Sequence, residues 1–388
     1  MYYCGIDVAK RKHSALVLNE QSEIVQQNFT FKNDREGFDK LLATLKPFVG
    51  QVIVALEATG HYWLALYECL AAADYPVVVL NPLQVHAYQR SGVRKRKNDR
   101  IDSFWIADYA RISNCQATTS NAPELIQLRD LTRFRYRLSE NIGDCKRKLL
   151  AVLDRVFPEY ENLFSSVFLT TSRQLLKQAV TAQEFADFDL GELSDLLSRA
   201  SRGRFGQDKA NTIVQQARRS VGVSLFADTA RIQVHCLLEQ LDLLELQCQQ
   251  IDREIETMMN QIDQHITSIP GVGAVTGAAI LAEIGDIARF ESPEKLVAYA
   301  GIDATVYQSG DFEATQTHIS KRGSPFLRIA IWQAACMAAL YDPQLKAYYQ
   351  RKKAEGKHHG TAIGAVARKL LSRIFIILKE GRPYEIRY

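Results

Sequence analysis

The chain has 388 residues, enough for two or three domains with their own cores, and 47% apolar with 24% charged residues is ordinary for a globular protein. Its seven cysteines are scattered without a C-x-x-C pair, the start shows no leader-like pattern, and no apolar run reaches about 18 residues, which argues against a disulfide framework, secretion and a membrane span and predicts a cytoplasmic protein. The formal charge of +4 is mild but unevenly spread, and distribution matters more than total for a polyanion partner.

Taken in chain order, "YYCGIDVAK", "HSALVLNE" and "EIVQQNFTF" read as three strands in meander order, the first ending near Asp7. "DREGFDKLLATLKPF" has helical spacing, with Phe38, Leu41, Leu42 and Leu45 on one side. "QVIVALEATG" is a continuous apolar run ending in Glu57, "HYWLALYECLAAA" is helical, and "PVVVLNP" is a further buried-type strand leading into a helix. This β-β-β-α-β-α-β-α order predicts an α/β domain with a mixed sheet, and ligands collect at strand ends in such sheets.

The next stretch, "KRKNDRIDSFWIADY", places Asp99 and Asp102 three apart, on one face of a helix, within a basic segment. From Arg90 to Arg100 six Lys and Arg stand against Asp99 alone, among them Arg94, Lys95, Arg96, Lys97 and Arg100. Two carboxylates on one face repel, so a cation must lie between them: a basic side chain or a bound metal. Each acid taken alone reads as a cap, a turn or a solvated face. Asp7, Glu57, Asp99 and Asp102 together form an all-oxygen set suited to Mg²⁺ or Mn²⁺ and unsuited to Zn²⁺. Their order and spacing resemble the D-E-D-D set of ribonuclease H-like, RuvC-like nucleases, in which paired metal ions clamp a phosphodiester. Lys10, Thr59 and His61 are weaker candidates near that site.

From about 121 to 266 the pattern is helical, apart from the short apolar stretch "VGVSLF". A basic run carries Arg133, Arg135, Arg137, Lys146, Arg147 and Lys148, with Tyr136 interleaved, a mix that suits a nucleic-acid backbone and its bases. The bland alternative is a solvated helix face. Residues of about 160–225 read as a helical insert with a loop at "SRGRFG". A stretch of about 39 residues then runs without Pro or Gly, with Leu237, Leu241, Leu244, Ile251, Ile255, Met258 and Ile262 recurring along it. It predicts a long helix, either a coiled-coil dimerisation arm or half of an intramolecular hairpin.

The C-terminal part opens on "ITSIPGVGAVTGAAILAEIGD". Its turn, with Gly271 and Gly273, allows close backbone approach, and the next helix N-terminus favours a phosphate, so it resembles a helix-hairpin-helix element. The competing reading is a turn that serves packing alone. Ser309 in "YQSG" and Ser320 in "HISKRG", beside Lys321, Arg322 and Arg328, stand out, although isolated serines mostly serve turns and caps. No Ser-His-Asp constellation points to an ordinary hydrolase.

The ordered set of D-E-D-D, helical middle, "IPGVGAVTGAAILAEIGD", "AYAGI", "QSG" and "ISKRGSPFLR" closely resembles insertion-sequence transposases related to the Piv and MooV DNA invertases, and covers nearly all of the chain outside 160–225. The resemblance implies a prokaryotic, nucleoid-associated site-specific recombinase acting on donor and target DNA, guided by a bridge RNA from its own element and assembled as a dimer or tetramer. It implies a RuvC-like domain at 1–118, a helical and coiled-coil region at 119–265, and a mainly helical transposase domain at 266–388. The metal ligands would be Asp7, Glu57, Asp99 and Asp102. The nucleophile falls most naturally on Ser309, with Ser320 a close competitor, and Lys321, Arg322 and Arg328 would stabilise charge on the transferring phosphoryl group. The other readings are a metal-only junction endonuclease without a catalytic serine, and a nucleic-acid-binding scaffold without catalysis.

Overall fold

The computed structural model describes residues 1–57, 60–80, 82–91, 99–113, 123–304, 308–309, 312–313 and 318–386; for 82–84, 91, 99–101, 308–309 and 312–313 the backbone alone is described. The chain divides into two compact units, Met1–Asn121 and Ala122–Tyr388.

In the first unit β1 (Tyr2–Asp7), β2 (Lys12–Asn19) and β3 (Ile24–Lys32) form the expected meander, followed by α1 (Arg35–Leu45), β4 (Val52–Glu57), α2 (Leu64–Ala72), β5 (Val77–Leu80), α3 (Pro82–Ser91) and α4 (Asp99–Ile112). The sheet order is β3-β2-β1-β4-β5; β2 runs against β1 and β3, and β4 and β5 run parallel to β1. Strand alternation sorts two cores. Cys4, Ile6, Val54 and Leu56 face Leu41 and Leu45 of α1 and Leu66 and Leu70 of α2, whereas Ala55, Val78 and Leu80 face Ile106 and Ala110 of α4. Gly5 lets α4 cross β1 at close range, because a Cβ there would lie 2.2 Å from the Ser103 carbonyl oxygen.

The second unit is almost wholly helical. α5 (Pro123–Val156) and α10 (Ala227–Gln261) form an antiparallel hairpin, since Arg135 meets Asp252, Cys145 meets Gln240 and Arg155 meets Gln233 in inverse order. Between them α6 (Thr170–Leu176), α7 (Ala182–Ala186), α8 (Leu190–Ser201) and α9 (Gln207–Arg218) close a separate small core around Phe157, Tyr160 and Phe185. The apolar stretch "VGVSLF" makes no strand: Ser224–Phe226 is a single 3₁₀ turn, and Val223 N–H donates to Arg155 O at 2.8 Å, so its backbone is fastened to the end of α5 while Val221, Val223, Leu225 and Phe226 stay exposed. The remaining elements are α11 (Ala274–Ile284), α12 (Pro293–Ala300), β6 (Gln308–Ser309), β7 (Phe312–Glu313), α13 (Pro325–Tyr341), α14 (Pro343–Ala354) and α15 (His359–Glu380). Their core takes in Leu128 of α5 and Ile255 and Met259 of α10, so the hairpin is rooted in it. Among the described residues no helix is long and apolar enough to cross a membrane.

Candidate functional site

Asp7 and Glu57 end adjacent parallel strands. The register pairs Ile6 with Leu56, so the two acids come next at one edge of the sheet, half-buried. Alternation puts both on the face that α4 covers, with Gly5 and Ala55. The direction of α4 follows from its anchors. Ser103 Oγ donates to Ser14 O at 2.9 Å, and Ser14 is the β2 partner of Asp7. Five residues on, Asp108 takes Ser22 Oγ at 2.7 Å from the β2–β3 turn, near the opposite end of the strands. α4 therefore descends from the edge where Asp7 and Glu57 stand, and its first turn, with Asp102, begins there. Asp102 accepts from Gln89 Nε2 of α3 at 3.2 Å. Asp99 begins α4, and its side chain lies outside the described residues, as do Arg94, Lys95, Arg96, Lys97, Thr59 and the side chain of Arg100.

Carboxylate oxygens at a strand-end edge fit a hard divalent cation in donor chemistry. Among the described residues, however, no group of three or more His, Cys, Asp or Glu side chains is arranged to hold a metal ion. Asp7, Glu57 and Asp102 share an edge without forming a three-ligand cluster. Lys10 and His61 are exposed, and the His61 ring lies against Tyr62 with centroids 4.3 Å apart.

In the second unit Ser309 pairs with Phe312 across the short β6–β7 ladder. Its root is an antiparallel bridge between Ala304 and Ile319. Ser320 lies one residue past that bridge: its N–H donates to Asp303 O at 2.9 Å, and its hydroxyl donates to the Asp303 carboxylate. The "SKRGS" turn is then fitted onto the end of α12. Lys321 N–H donates to Gly301 O at 3.0 Å, Ser324 N–H to Tyr299 O at 3.0 Å, and Arg328 to Ala300 O at 3.2 Å. Gly301 and Gly323 both have φ near +70° (+66° and +74°), and a Cβ on either would fall within 2.0 Å of a backbone oxygen, Arg322 O or Tyr299 O. "AYAGI" and "SKRG" thus interlock, and Lys321, at φ +53°, and Arg322 are held exposed beside Ser320.

The basic run on α5 divides. Arg133 forms a two-pronged pair with the buried Glu283, Nε to Oε1 2.6 Å and Nη2 to Oε2 3.0 Å, while its guanidinium also lies 4.7 Å over the Phe326 ring. Ser324 Oγ donates to the same carboxylate at 2.7 Å. Arg135 holds Asp252 through two prongs at 2.8 and 3.2 Å. These two charges therefore have partners inside the protein. Burial and the neighbouring Arg133 pull the Arg129 guanidinium below its usual range. Lys146 faces Glu245 at 3.6 Å, and Arg147 and Lys148 both lean on Asp144; these last two and Arg137 are exposed. Gly271, at φ +90°, approaches the α13 backbone, where a Cβ would be 2.7 Å from Met337 C, so that glycine serves packing. Gly273 caps α11 with open space beside it and no side-chain cap, which leaves that helix N-terminus available. The helix preceding the turn is only the 3₁₀ segment Ile266–Ser268.

Asp303, Glu283 and the Gly301–Gly323 pair escape a reading of the sequence. Their partners lie apart along the chain, and only the single glycine in each of "AYAGI" and "SKRGS" hints at close backbone packing.

A family model described as a transposase of the DEDD type of IS110 matches residues 4–158, and one described as "Transposase IS116/IS110/IS902 family" matches residues 263–350. Among similar proteins are the pilin gene-inverting protein of Moraxella lacunata, 25% identical over 99% of this chain and 98% of that one, and the insertion element IS116 44.8 kDa protein of Streptomyces clavuligerus, 26% identical over 98% and 96%. The transposase of insertion sequence element IS1111A of Coxiella burnetii is 24% identical over 85% of this chain and 76% of its own. With both ends of the chain matched by models of one family, and relatives aligned along nearly its whole length, this protein belongs to the IS116/IS110/IS902 family of insertion-sequence transposases, enzymes that cleave and exchange DNA strands.

Proposed function

We propose that the chain is a site-specific recombinase of its own insertion sequence, using a carboxylate-held divalent metal and Ser309, and finding its sites through a guide RNA encoded by the same element. The observation that carries this reading is the shared sheet edge: Asp7 and Glu57 end neighbouring parallel strands on the face from which α4 starts, with Asp102 in its first turn. The strand order β3-β2-β1-β4-β5, with β2 alone running against the others, supports a ribonuclease H-like, RuvC-like assignment. Asp7, Glu57, Asp99 and Asp102 would hold Mg²⁺ or Mn²⁺, which when bound supplies charge neutralisation at a phosphodiester. The chain's own groups set the strand ends and turn that position those oxygens.

For strand exchange, the Ser309 Oγ–P bond forms as the bond from phosphorus to the departing strand's sugar oxygen breaks. The proton lost by the serine is balanced by the one taken up by the departing oxygen, so the phosphoester remains available for rejoining. Ser320, tied to Asp303 by both its N–H and its hydroxyl, is read as the fastener of the hairpin root. Lys321, Arg322 and Arg328 are read as stabilising the phosphoryl charge, and Arg137, Arg147, Lys148 and the α11 N-terminus as phosphate contacts.

The test is strand cleavage on a donor duplex with the protein's copurified RNA present. Glu57→Gln and Asp102→Asn should each lower cleavage by about 10²-fold or more while DNA binding persists. Ser309→Ala should lose the covalent protein–DNA adduct and Ser320→Ala should keep it. Wild-type cleavage in excess chelator sinks the metal assignment, and an adduct that survives Ser309→Ala sinks the serine assignment. Sequencing of the bound RNA decides the guide: no enriched element-encoded transcript removes it.

A further inference from the structure

From Pro343 to Lys379 the chain carries nine Lys and Arg, with Glu355 as the single acid. The fold gathers most of these cations around the end of α14, the turn after it and the facing side of α15. Lys346, Arg351, Lys353, Lys357 and Lys369 are exposed there. Lys352 alone finds the acid, with Nζ 2.8 Å from Glu355 Oε2, and that pairing holds the Glu355 carboxyl below its usual range.

The centre of the patch is Tyr348. Its ring has the Lys369 ammonium 4.6 Å from the centroid, the Arg351 guanidinium at 5.1 Å and the Lys352 ammonium at 5.7 Å. Beside it the Tyr349 hydroxyl and His359 Nδ1 are 2.8 Å apart. Three cations around one ring repel one another, and a cation–π contact offsets only about 0.5–1 kcal/mol at an exposed site. Such an arrangement gains most when an extended polyanion supplies the missing negative charge. From Lys346 to Lys353 the patch spans roughly 10 Å along α14, a length over which duplex DNA presents about six phosphates, and Lys357 folds back beside it in the turn that follows.

We propose that the α14–α15 surface, centred on Tyr348, is a duplex-DNA backbone clamp of this transposase. The occupant is duplex DNA because the family acts on DNA and because the exposed cations, mostly lysine point charges, line α14, its following turn and α15 in the manner of contacts to a phosphate backbone. The inference depends on the family's action on DNA and stands apart from the metal and serine assignments.

The test is the salt dependence of binding by the full chain to a mixed-sequence duplex, with a single-stranded RNA of equal length as the second probe. Arg351→Gln, Lys353→Gln and Lys357→Gln combined should lower the slope of log affinity against log salt by about 2–3 for duplex DNA, since each phosphate contact contributes about 0.9. Lys369→Gln, on the other helix, should lower it by about 1, which keeps the test independent of how α14 tolerates the triple change. Exchanging Lys353 and Lys357 for Arg should retain the slope. An unchanged DNA slope in both variants overturns the clamp. A slope that falls for the RNA probe alone overturns duplex DNA as the occupant.

Discussion

Asp108 shows how a residue remote from the chemistry fixes the site. Burial alone would push its carboxyl up, but donors from Tyr88 Oη at 2.6 Å, Ser22 Oγ at 2.7 Å and Arg111 Nε at 2.9 Å more than offset this, and its pKa is lowered. A carboxyl held lower in the folded chain than in the unfolded chain stabilises fully above the unfolded value, near 3.9, and loses that contribution as pH falls through the folded value. Asp108→Asn is therefore expected to lower stability by about 1–3 kcal/mol at neutral pH. Denaturant midpoints followed from pH 7 to pH 3 should show the two proteins converging below about pH 4, and a constant gap across that range would contradict the assignment. Because Asp108 pins the far end of α4 to the β2–β3 turn and to α3, the variant should also lose cleavage through misplacement of Asp102.

At the level of elements, local pattern was readable and long-range pairing was not. The five strands and the helices α1 and α2 follow from apolar periodicity, because burial of Leu41, Leu45, Leu66 and Leu70 needs only neighbours supplied by the same layered sheet. "VGVSLF" misleads because an apolar run does not dictate burial: Val221, Val223, Leu225 and Phe226 stay exposed, and it is the backbone that fastens to the end of α5. The α5 arginines could not be read correctly from local sequence, since the acids that meet Arg133 and Arg135 lie 150 and 117 residues away. The long helix leaves both of its sequence readings in play, as an internal hairpin that still exposes Ile232, Leu243 and Leu246 on α10. Turn chemistry gives the sharpest prediction at this scale. Gly301 sits at φ +66° with the Arg322 oxygen where a Cβ would go, so Gly301→Ala combines left-handed strain with a backbone clash. About 2–4 kcal/mol of destabilisation is expected, with loss of covalent adduct formation because the root of the Ser309 hairpin shifts. A thermal melt unchanged by that substitution would mean that "AYAGI" and "SKRG" do not interlock.

At the scale of the whole molecule, the carboxylates and the serine belong to different compact units, Met1–Asn121 and Ala122–Tyr388. On the proposed assignments, the acids and the serine of one functional centre need not come from the same protomer. Leu243 and Leu246, exposed about one turn apart on α10, offer a small apolar surface for such an assembly. Mixing separates shared from self-contained sites. Asp102→Asn chains keep the serine and Ser309→Ala chains keep the acids, and neither should recombine DNA alone. If each functional centre draws on two protomers, random reassortment should leave about a quarter of the centres with both sets intact, and strand exchange should recover to about that level. If each chain works only with its own residues, the mixture should stay as inactive as its parts. Exchange measured across a series of mixing ratios distinguishes the two, because a shared centre peaks at equal amounts and falls symmetrically to either side.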